Sequence, residues 1–301
     1  MPHDHHHHHA PPLQGDRRVV TAVSVNLGLT VVQIVAGVIS GSLAMIADAI
    51  HNLSDALSLM IALVARKLAR RPADEAMTFG YGRIEVVAAL VNYTTLIVIA
   101  LWLLTEGVHR LFDPVAVQGW IVVIVAIVAL VIDLATAMLI FRLSQDNMNM
   151  RAAFLHNLAD AMGSLAVILG GTLILLYDWH LIDPILTLVI AGYILWHAGH
   201  GLVPAVRLLM LGSPDSPGLP EVISALRAIP GVADLHHLHL WRMQEHDSSL
   251  EAHVVLDNSR PAHEVRAEVK ALLHDRFGIG HSTIELESPA EACRNAPVIG
   301  H

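Results

Sequence analysis

The sequence predicts a membrane protein in which an all-α domain of six transmembrane helices precedes a small α+β domain. Three observations lead to this fold class. Hydrophobic residues make up 54% of the 301 residues and charged residues only 15%, which is too apolar for an ordinary soluble chain. Six apolar segments are long enough to cross a bilayer. After Gly212, the composition changes abruptly to that of a soluble domain.

The six apolar segments define a transmembrane domain over residues 17–211. They lie at about residues 19–39, 43–68, 84–104, 118–141, 152–176 and 182–203. The Lys and Arg residues near their ends fall on one side, at Arg17, Arg18, Arg66, Lys67, Arg70, Arg71, Arg83, Arg142, Arg151 and Arg207. The opposite side has Arg110. Because positive residues stay in the cytoplasm, both termini are predicted to be cytoplasmic, with the helices crossing the inner membrane.

Two polar segments flank this domain. Residues 1–16 include His3 and five consecutive histidines at 5–9, so we expect a disordered, His-rich tail. This tail is either a native metal-collecting segment or a purification tag, and the sequence does not decide between them. Residues 212–219 are rich in Gly, Ser and Pro and are predicted to be a linker.

The soluble domain is predicted over residues 220–288, with a tail at 289–301. Its pattern indicates helices at 220–228 and 261–277 and strands at 232–241, 249–256 and 282–287. Strand alternation predicts that His236 shares one face with Leu238 and Leu240, while His237 and His239 share the other.

Two spans carry the same polar motif, His-Asn-x-x-Asp. It begins at His51 in the second span and at His156 in the fifth, and ends at Asp55 and Asp160. Residues four apart lie on one face of a helix. The two spans run antiparallel, so each His is expected to face the Asp of the other.

Two imidazoles and two carboxylates suit a tetrahedral Zn²⁺ ion. Two ionised carboxylates also balance the charge of one divalent ion, and protons are expected to replace the metal when it leaves. The alternative is that the two histidines are helix-packing residues. Ionisable groups at membrane depth usually mark a substrate or proton path, which favours the metal site.

Two further carboxylates lie within the spans. Asp133 is in the middle of the fourth span, where we expect a supporting or proton-relay role. Asp48 lies one turn before Asn52, where it either orients the His51 imidazole or makes a helix-packing contact.

These motifs resemble the cation diffusion facilitators, and in particular their zinc-transporting bacterial branch. The resemblance covers nearly the whole chain and rests on the paired His-x-x-x-Asp motifs, on Pro72-Ala73-Asp74, on Phe79-Gly80-Tyr81-Gly82-Arg83, and on His236-His237-Leu238-His239-Leu240-Trp241. It implies a homodimeric zinc/proton antiporter that exports zinc, and possible transport of cadmium, from the cytoplasm. It also implies that His51, Asp55, His156 and Asp160 are the intramembrane ligands and that the small domain is ferredoxin-like, as in metallochaperones.

The resemblance also implies a cytoplasmic zinc site. The matching residues are His236, His253, His281 and Glu287, with His263 at the dimer interface and Glu285 as a substitute ligand. The alternative is a set of solvated surface histidines. Cys293 resembles a C-terminal thiol of animal relatives, but it is the only cysteine, which also excludes an intramolecular disulfide.

Other classes of function fit the sequence less well. An intramembrane zinc hydrolase would need a motif such as His-Glu-x-x-His, which the sequence lacks, so we expect no enzyme. The formal charge of −9 gives no indication of nucleic-acid binding. A metal-gated channel and a metal-sensing membrane protein remain as alternatives.

Overall fold

The computed structural model describes residues 16–144, 148–244, 247–290, 292–293 and 296–300. Residues 1–15 of the predicted His-rich tail therefore lie outside the described residues, and Asp16 begins the first helix. Six long helices come first: α1 (Asp16–Ser40), α2 (Leu43–Ala69), α3 (Ile84–Phe112), α4 (Gly119–Ser144), α5 (Met148–Tyr177) and α6 (Ile182–Leu209). The α+β part that comes after them confirms the predicted fold class.

Four of the described helices are long and apolar enough to cross a membrane. These stretches are Ile84–Phe112, Gly119–Met138, Asn157–Tyr177 and Ile182–Leu209, and Ser24–Ser40 is a shorter apolar stretch. The chain divides into two compact units, Met1–Met60 with Thr95–Ala198, and Ile61–Thr94 with Gly199–His301. The domain boundary near residue 212 stays a prediction.

The first turn of α2 is held by a carboxylate from α6. Asp183 is buried and accepts hydrogen bonds from the Ser42 hydroxyl at 2.5 Å and from the backbone N–H of Leu43 at 2.8 Å. A helix N-terminus has N–H groups without intrahelical partners. The Ser42 hydroxyl caps the N–H of Met45 at 3.1 Å, and Asp183 accepts the N–H groups of Leu43 and Ala44. Arg110 adds a bond to the carbonyl of Gly41 at 2.7 Å. These bonds fix the position of α2, which carries His51.

Helices α4 and α5 approach closely because glycines face each other. A Cβ atom at Gly119 would lie 2.8 Å from the backbone oxygen of Gly171. At Gly171, a Cβ atom would lie 2.9 Å from a methyl group of Val123. Small residues allow membrane helices to pack at short distance, and Gly119 and Gly171 have this role between α4 and α5.

Replacing Gly119 with alanine should therefore destabilise the bundle by about 1–3 kcal/mol, because backbone must move to admit the new methyl group. Thermal unfolding in detergent, followed by circular dichroism, measures the change. Gly28→Ala on α1 is the matched control, since nothing lies within 4 Å of its added Cβ. Equal melting temperatures for both variants would show that the α4–α5 contact is not tight.

The α+β part contains α7 (Leu219–Arg227), β1 (Val232–Arg242), β2 (Ser248–Leu256), α8 (Ala262–Phe277) and β3 (His281–Glu287). The sheet order is β1-β2-β3, with β1 antiparallel and β3 parallel to β2. A parallel pair requires a crossover, and α8 provides it. The helices and sheet share one core of buried residues: Val222, Leu226, Leu235, Leu238, Leu240, Leu250, Ala252, Val254, Val265, Val269 and Leu273.

Strand β1 contains a bulge that strict alternation does not predict. His236 pairs with His253 and His239 pairs with Glu251, so β1 has one more residue than β2 between these pairs. His237 lies in the bulge with φ of 48°. An extra residue reverses the facing of the strand residues after it. The prediction that His236 shares a face with Leu238 and Leu240 was therefore wrong: those leucines lie in the core, and His236 and His237 contact each other instead.

Candidate metal sites

A histidine and an aspartate from the two repeated motifs meet between α2 and α5. His51 Nε2 lies 3.8 Å from Asp160 Oδ1, and the side chains are 16% and 5% exposed. Two ligands of a tetrahedral zinc ion, each about 2.1 Å from the metal, lie about 3.4 Å apart. The two atoms are thus placed so that one ion can bind both with a small adjustment. The side chains of Asp55 and His156, on the same helices, lie outside the described residues.

An aromatic residue of α6 also contacts His51. The ring of Tyr193 meets the His51 ring edge-on, at 5.7 Å between centroids. The Tyr193 ring also stacks on His197, one turn later on α6, at 6.2 Å. Tyr193 was not among the residues predicted from the sequence to be functional. The available signal was a tyrosine and a histidine four residues apart within the sixth span.

The other buried carboxylates form interhelical hydrogen bonds. Asp48 accepts a bond from Gln33 of α1 at 2.9 Å, and the Gln33 oxygen accepts a bond from Asn52 at 3.4 Å. Of the two interpretations of Asp48, this geometry favours helix packing. On α4, the buried Asp133 accepts a bond from Ser164 of α5 at 3.2 Å. Asp133 thus reaches the turn of α5 that comes after Asp160, and its proton-relay role stays a prediction.

In the α+β part, the structure brings His236, His253 and Glu287 together. One potential ligand atom from each lies within 4.8 Å of the others. His253 Nδ1 is 2.6 Å from Glu287 Oε1, and His236 Nε2 is 3.2 Å from Glu287 Oε2. His236 is 4% and Glu287 7% exposed. This is a nearly buried group of two imidazoles and one carboxylate.

The chemistry of this group fits a metal ion. Burial opposes ionisation of Glu287, but the hydrogen bond from His253 and the nearby His236 hold the pKa of Glu287 below its usual value. His253 donates through Nδ1 because a carboxylate can only accept. His236 Nε2 and Glu287 Oε2 are buried without hydrogen bonds despite their proximity. Buried polar atoms normally have partners, and a cation between these two would supply one.

The cluster does not include two of the histidines named from the resemblance. His281 pairs with Ser249 at the start of β3, whereas Glu287 pairs with Val255 at its end. Six residues of strand span about 20 Å, so His281 cannot join Glu287 on the same ion. His263 is exposed in the first turn of α8. Glu285 is closer, with Oε2 at 3.4 Å from His253 Nε2.

His237 and Cys293, which were not among the predicted cytoplasmic ligands, lie beside the cluster. Ligand atoms of His236, His237 and Cys293 form a second group within 4.8 Å. His237 was expected on the opposite face, and the bulge brings it here. The sequence had no local signal for this arrangement.

A helical membrane bundle with a buried His–Asp pair, followed by an α+β part with a cluster of potential metal ligands, is the arrangement expected of a membrane transporter of metal cations. Residues 19–210 match the cation efflux transmembrane domain, and residues 214–289 match the cytoplasmic domain of cation efflux proteins. The chain belongs to the cation efflux family, whose members are secondary transporters and not enzymes.

Curated relatives cover almost the full chain. The metal cation efflux system protein CzcD of Cupriavidus metallidurans is 34% identical over 96% of this chain and 90% of its own length. The zinc transporter ZitB of Escherichia coli is 34% identical, with 95% and 91% covered. The cadmium, cobalt and zinc/H(+)-K(+) antiporter of Bacillus subtilis is 31% identical, with 89% and 88% covered.

We predict that zinc stabilises the sheet through Glu287 and His253. A metal present at 100 times its dissociation constant stabilises the bound state by about 2.7 kcal/mol, which slows exchange through opening about 100-fold. Hydrogen–deuterium exchange of β2 and β3 in the whole protein, with zinc or with chelator, measures this effect.

The Glu287→Gln and His253→Gln variants should lose the zinc-dependent protection. The matched control is His281→Gln, which changes a histidine of the same sheet outside the cluster and should retain it. If His281→Gln abolished the protection and Glu287→Gln did not, the cluster would be wrongly assigned.

Proposed function

We propose that this protein is a zinc/proton antiporter that exports zinc from the cytoplasm through an intramembrane site made by His51, Asp55, His156 and Asp160. The single observation that carries the proposal is the 3.8 Å approach of His51 to Asp160 between α2 and α5. A buried carboxylate costs several kcal/mol unless it is paired. The pairing across two helices creates a place where a cation is stabilised at membrane depth.

Relatives support the choice of substrate and counter-ion. One is named a zinc transporter and another a cadmium, cobalt and zinc/H(+)-K(+) antiporter. The nitrogen and oxygen ligands of the proposed site are typical of zinc, while carboxylates keep the ion labile enough to leave. Cadmium is a second expected substrate. In this proposal, protons return through the same protein and balance the charge.

The orientation and assembly are also part of the proposal. In this proposal both termini and the α+β domain lie in the cytoplasm of an inner-membrane protein, and the positive residues at the helix ends support this orientation. The domain matched by the second family model is a cytoplasmic one, which supports this orientation. The resemblance implies a homodimer, in which the exposed His263 is available to a second copy.

The test is zinc uptake into proteoliposomes with an acidic interior. The Asp160→Asn variant should take up zinc at least about 10-fold more slowly, because a charged partner of a buried site is worth about 1.5–3 kcal/mol. Asp178→Asn is the matched control, since its carboxylate is 91% exposed in the connection between α5 and α6. Equal loss of uptake in both variants would contradict a specific role for Asp160.

The same liposomes distinguish exchange from channel flow. An antiporter should accumulate internal zinc above the external concentration while the pH gradient lasts and release protons in step with uptake. A channel would stop at equal concentrations when the membrane potential is clamped. The measurement is made with and without potassium, because the name of the Bacillus subtilis relative includes that ion.

A further inference from the structure

The C-terminal residues of the described chain are bound to the bulge of β1. The backbone N–H of His237 donates to Pro297 at 3.1 Å, and that of Leu238 donates to Val298 at 2.9 Å. Leu238 also forms a parallel bridge with Ile299. Because β1 is an edge strand of the sheet, its outer hydrogen-bonding groups are available for this pairing. Residues 297–300, the C-terminal segment, therefore add to the edge of the sheet.

This segment also sets the chemistry of the His237 ring. Nδ1 of His237 lies 2.9 Å from the carbonyl oxygen of Gly300. A carbonyl oxygen only accepts, so Nδ1 carries the hydrogen, and in the neutral ring Nε2 carries the lone pair that a metal requires. Metal-binding histidines are commonly oriented in this way by a backbone carbonyl.

Cys293 lies within reach of the same ring. Its sulfur is exposed, and it belongs with His236 and His237 to a group whose ligand atoms lie within 4.8 Å of one another. The Glu287 carboxylate accepts a hydrogen bond from the backbone of Cys293, which ties this part of the chain to the first cluster. Nε2 of His236 is buried without a hydrogen bond, in a side chain that is 4% exposed, and lies 3.2 Å from Glu287 Oε2, so His236 belongs to both groups.

We propose that Cys293, His236 and His237 form a thiolate-containing metal site beside the His236–His253–Glu287 cluster. Its ligands are one sulfur and two imidazole nitrogens, which favour zinc and cadmium over magnesium or calcium. When the metal binds, the sulfur–metal bond forms and the thiol proton leaves to solvent, which reaches the exposed sulfur. The C-terminal segment thereby becomes part of the metal-binding unit.

Sharing of His236 gives the two ligand groups different preferences. A neutral imidazole offers one lone pair, so an ion held by His236 is bound either with the carboxylate oxygen of Glu287 or with the sulfur of Cys293. Thiolate is the softer ligand, so cadmium is drawn to the Cys293 side more strongly than zinc. This inference concerns binding to the cytoplasmic domain and does not depend on the proposed transport cycle.

The test uses cobalt as a spectroscopic probe of the purified full-length protein under anaerobic conditions. A thiolate-to-cobalt charge-transfer band in the near ultraviolet reports sulfur coordination, and histidines elsewhere in the chain cannot produce it. Cys293 is the only cysteine, so every such band comes from this position. We expect the band in the parent protein and its complete loss in Cys293→Ser.

Histidine participation is tested with His237→Asn. Asparagine tolerates the left-handed backbone conformation at this position, so the bulge is retained while the imidazole is removed. The cobalt concentration that gives half of the band should rise by about 10-fold or more, at least the effect of losing a supporting group at a metal site. The matched control is His239→Asn, on the same strand but outside the group, which should leave the titration unchanged.

Three outcomes would overturn the proposal. One is the absence of a charge-transfer band in the parent protein. Another is an identical titration for His237→Asn and His239→Asn, because Cys293 would then bind cobalt without the histidine. The third is alkylation of Cys293 at the same rate with and without zinc or cadmium. None of these measurements requires an ion gradient, so their failure is separate from a failure of zinc transport.

Discussion

The constraint on which the helical part depends is that a polar group at membrane depth must find a partner inside the protein, since lipid offers none. The described bonds obey this rule across helix pairs. Gln33 and Asp48 join α1 to α2, and Ser164 and Asp133 join α5 to α4. The approach of His51 to Asp160 differs, because 3.8 Å is too long for a hydrogen bond. The interhelical hydrogen bonds of Asp48 and Asp133 are 2.9 and 3.2 Å long. The proposed ligands His51 and Asp160 are farther apart, near the distance between two ligands of one zinc ion.

Helix α2, which carries the proposed ligand His51, is anchored to two neighbouring helices. Hydrogen bonds between Asp48 and Gln33, and between Asp183 and the start of α2, fix α2 at two points a short helical distance apart. From Leu43 to His51 is eight residues, or about 12 Å of helix. The imidazole is therefore carried on a rigid segment that is anchored to α1 and to α6. Changes of access to the site are more easily made by movement of whole helices than by local rearrangement of α2.

The predicted elements agree with the structure because their sequence signals are local. Apolar length defines the helices, and the i, i+4 spacing of each motif defines a helical face, so the approach of His51 to Asp160 was expected from two antiparallel spans. The soluble domain was harder. The alternation in β1 failed at His237 because one inserted residue reverses the face of every residue after it, and no residue type in that stretch requires a bulge. His281 lies outside the cluster because it and Glu287 are at opposite ends of β3, about 20 Å apart, a separation that the predicted strand already implied.

The contacts of the C-terminal segment are non-local and could not be read from the pattern at all, yet they explain why the bulge is stable. A non-glycine residue in the left-handed region costs about 1–3 kcal/mol. The two backbone bonds from His237 and Leu238 to the C-terminal segment contribute about 0.5–1.5 kcal/mol each, and the bond from the His237 ring adds a similar amount. The free energy contributed by these three hydrogen bonds therefore equals the backbone strain at His237 within a few kcal/mol. The bonds to the C-terminal segment thus offset the backbone strain at His237.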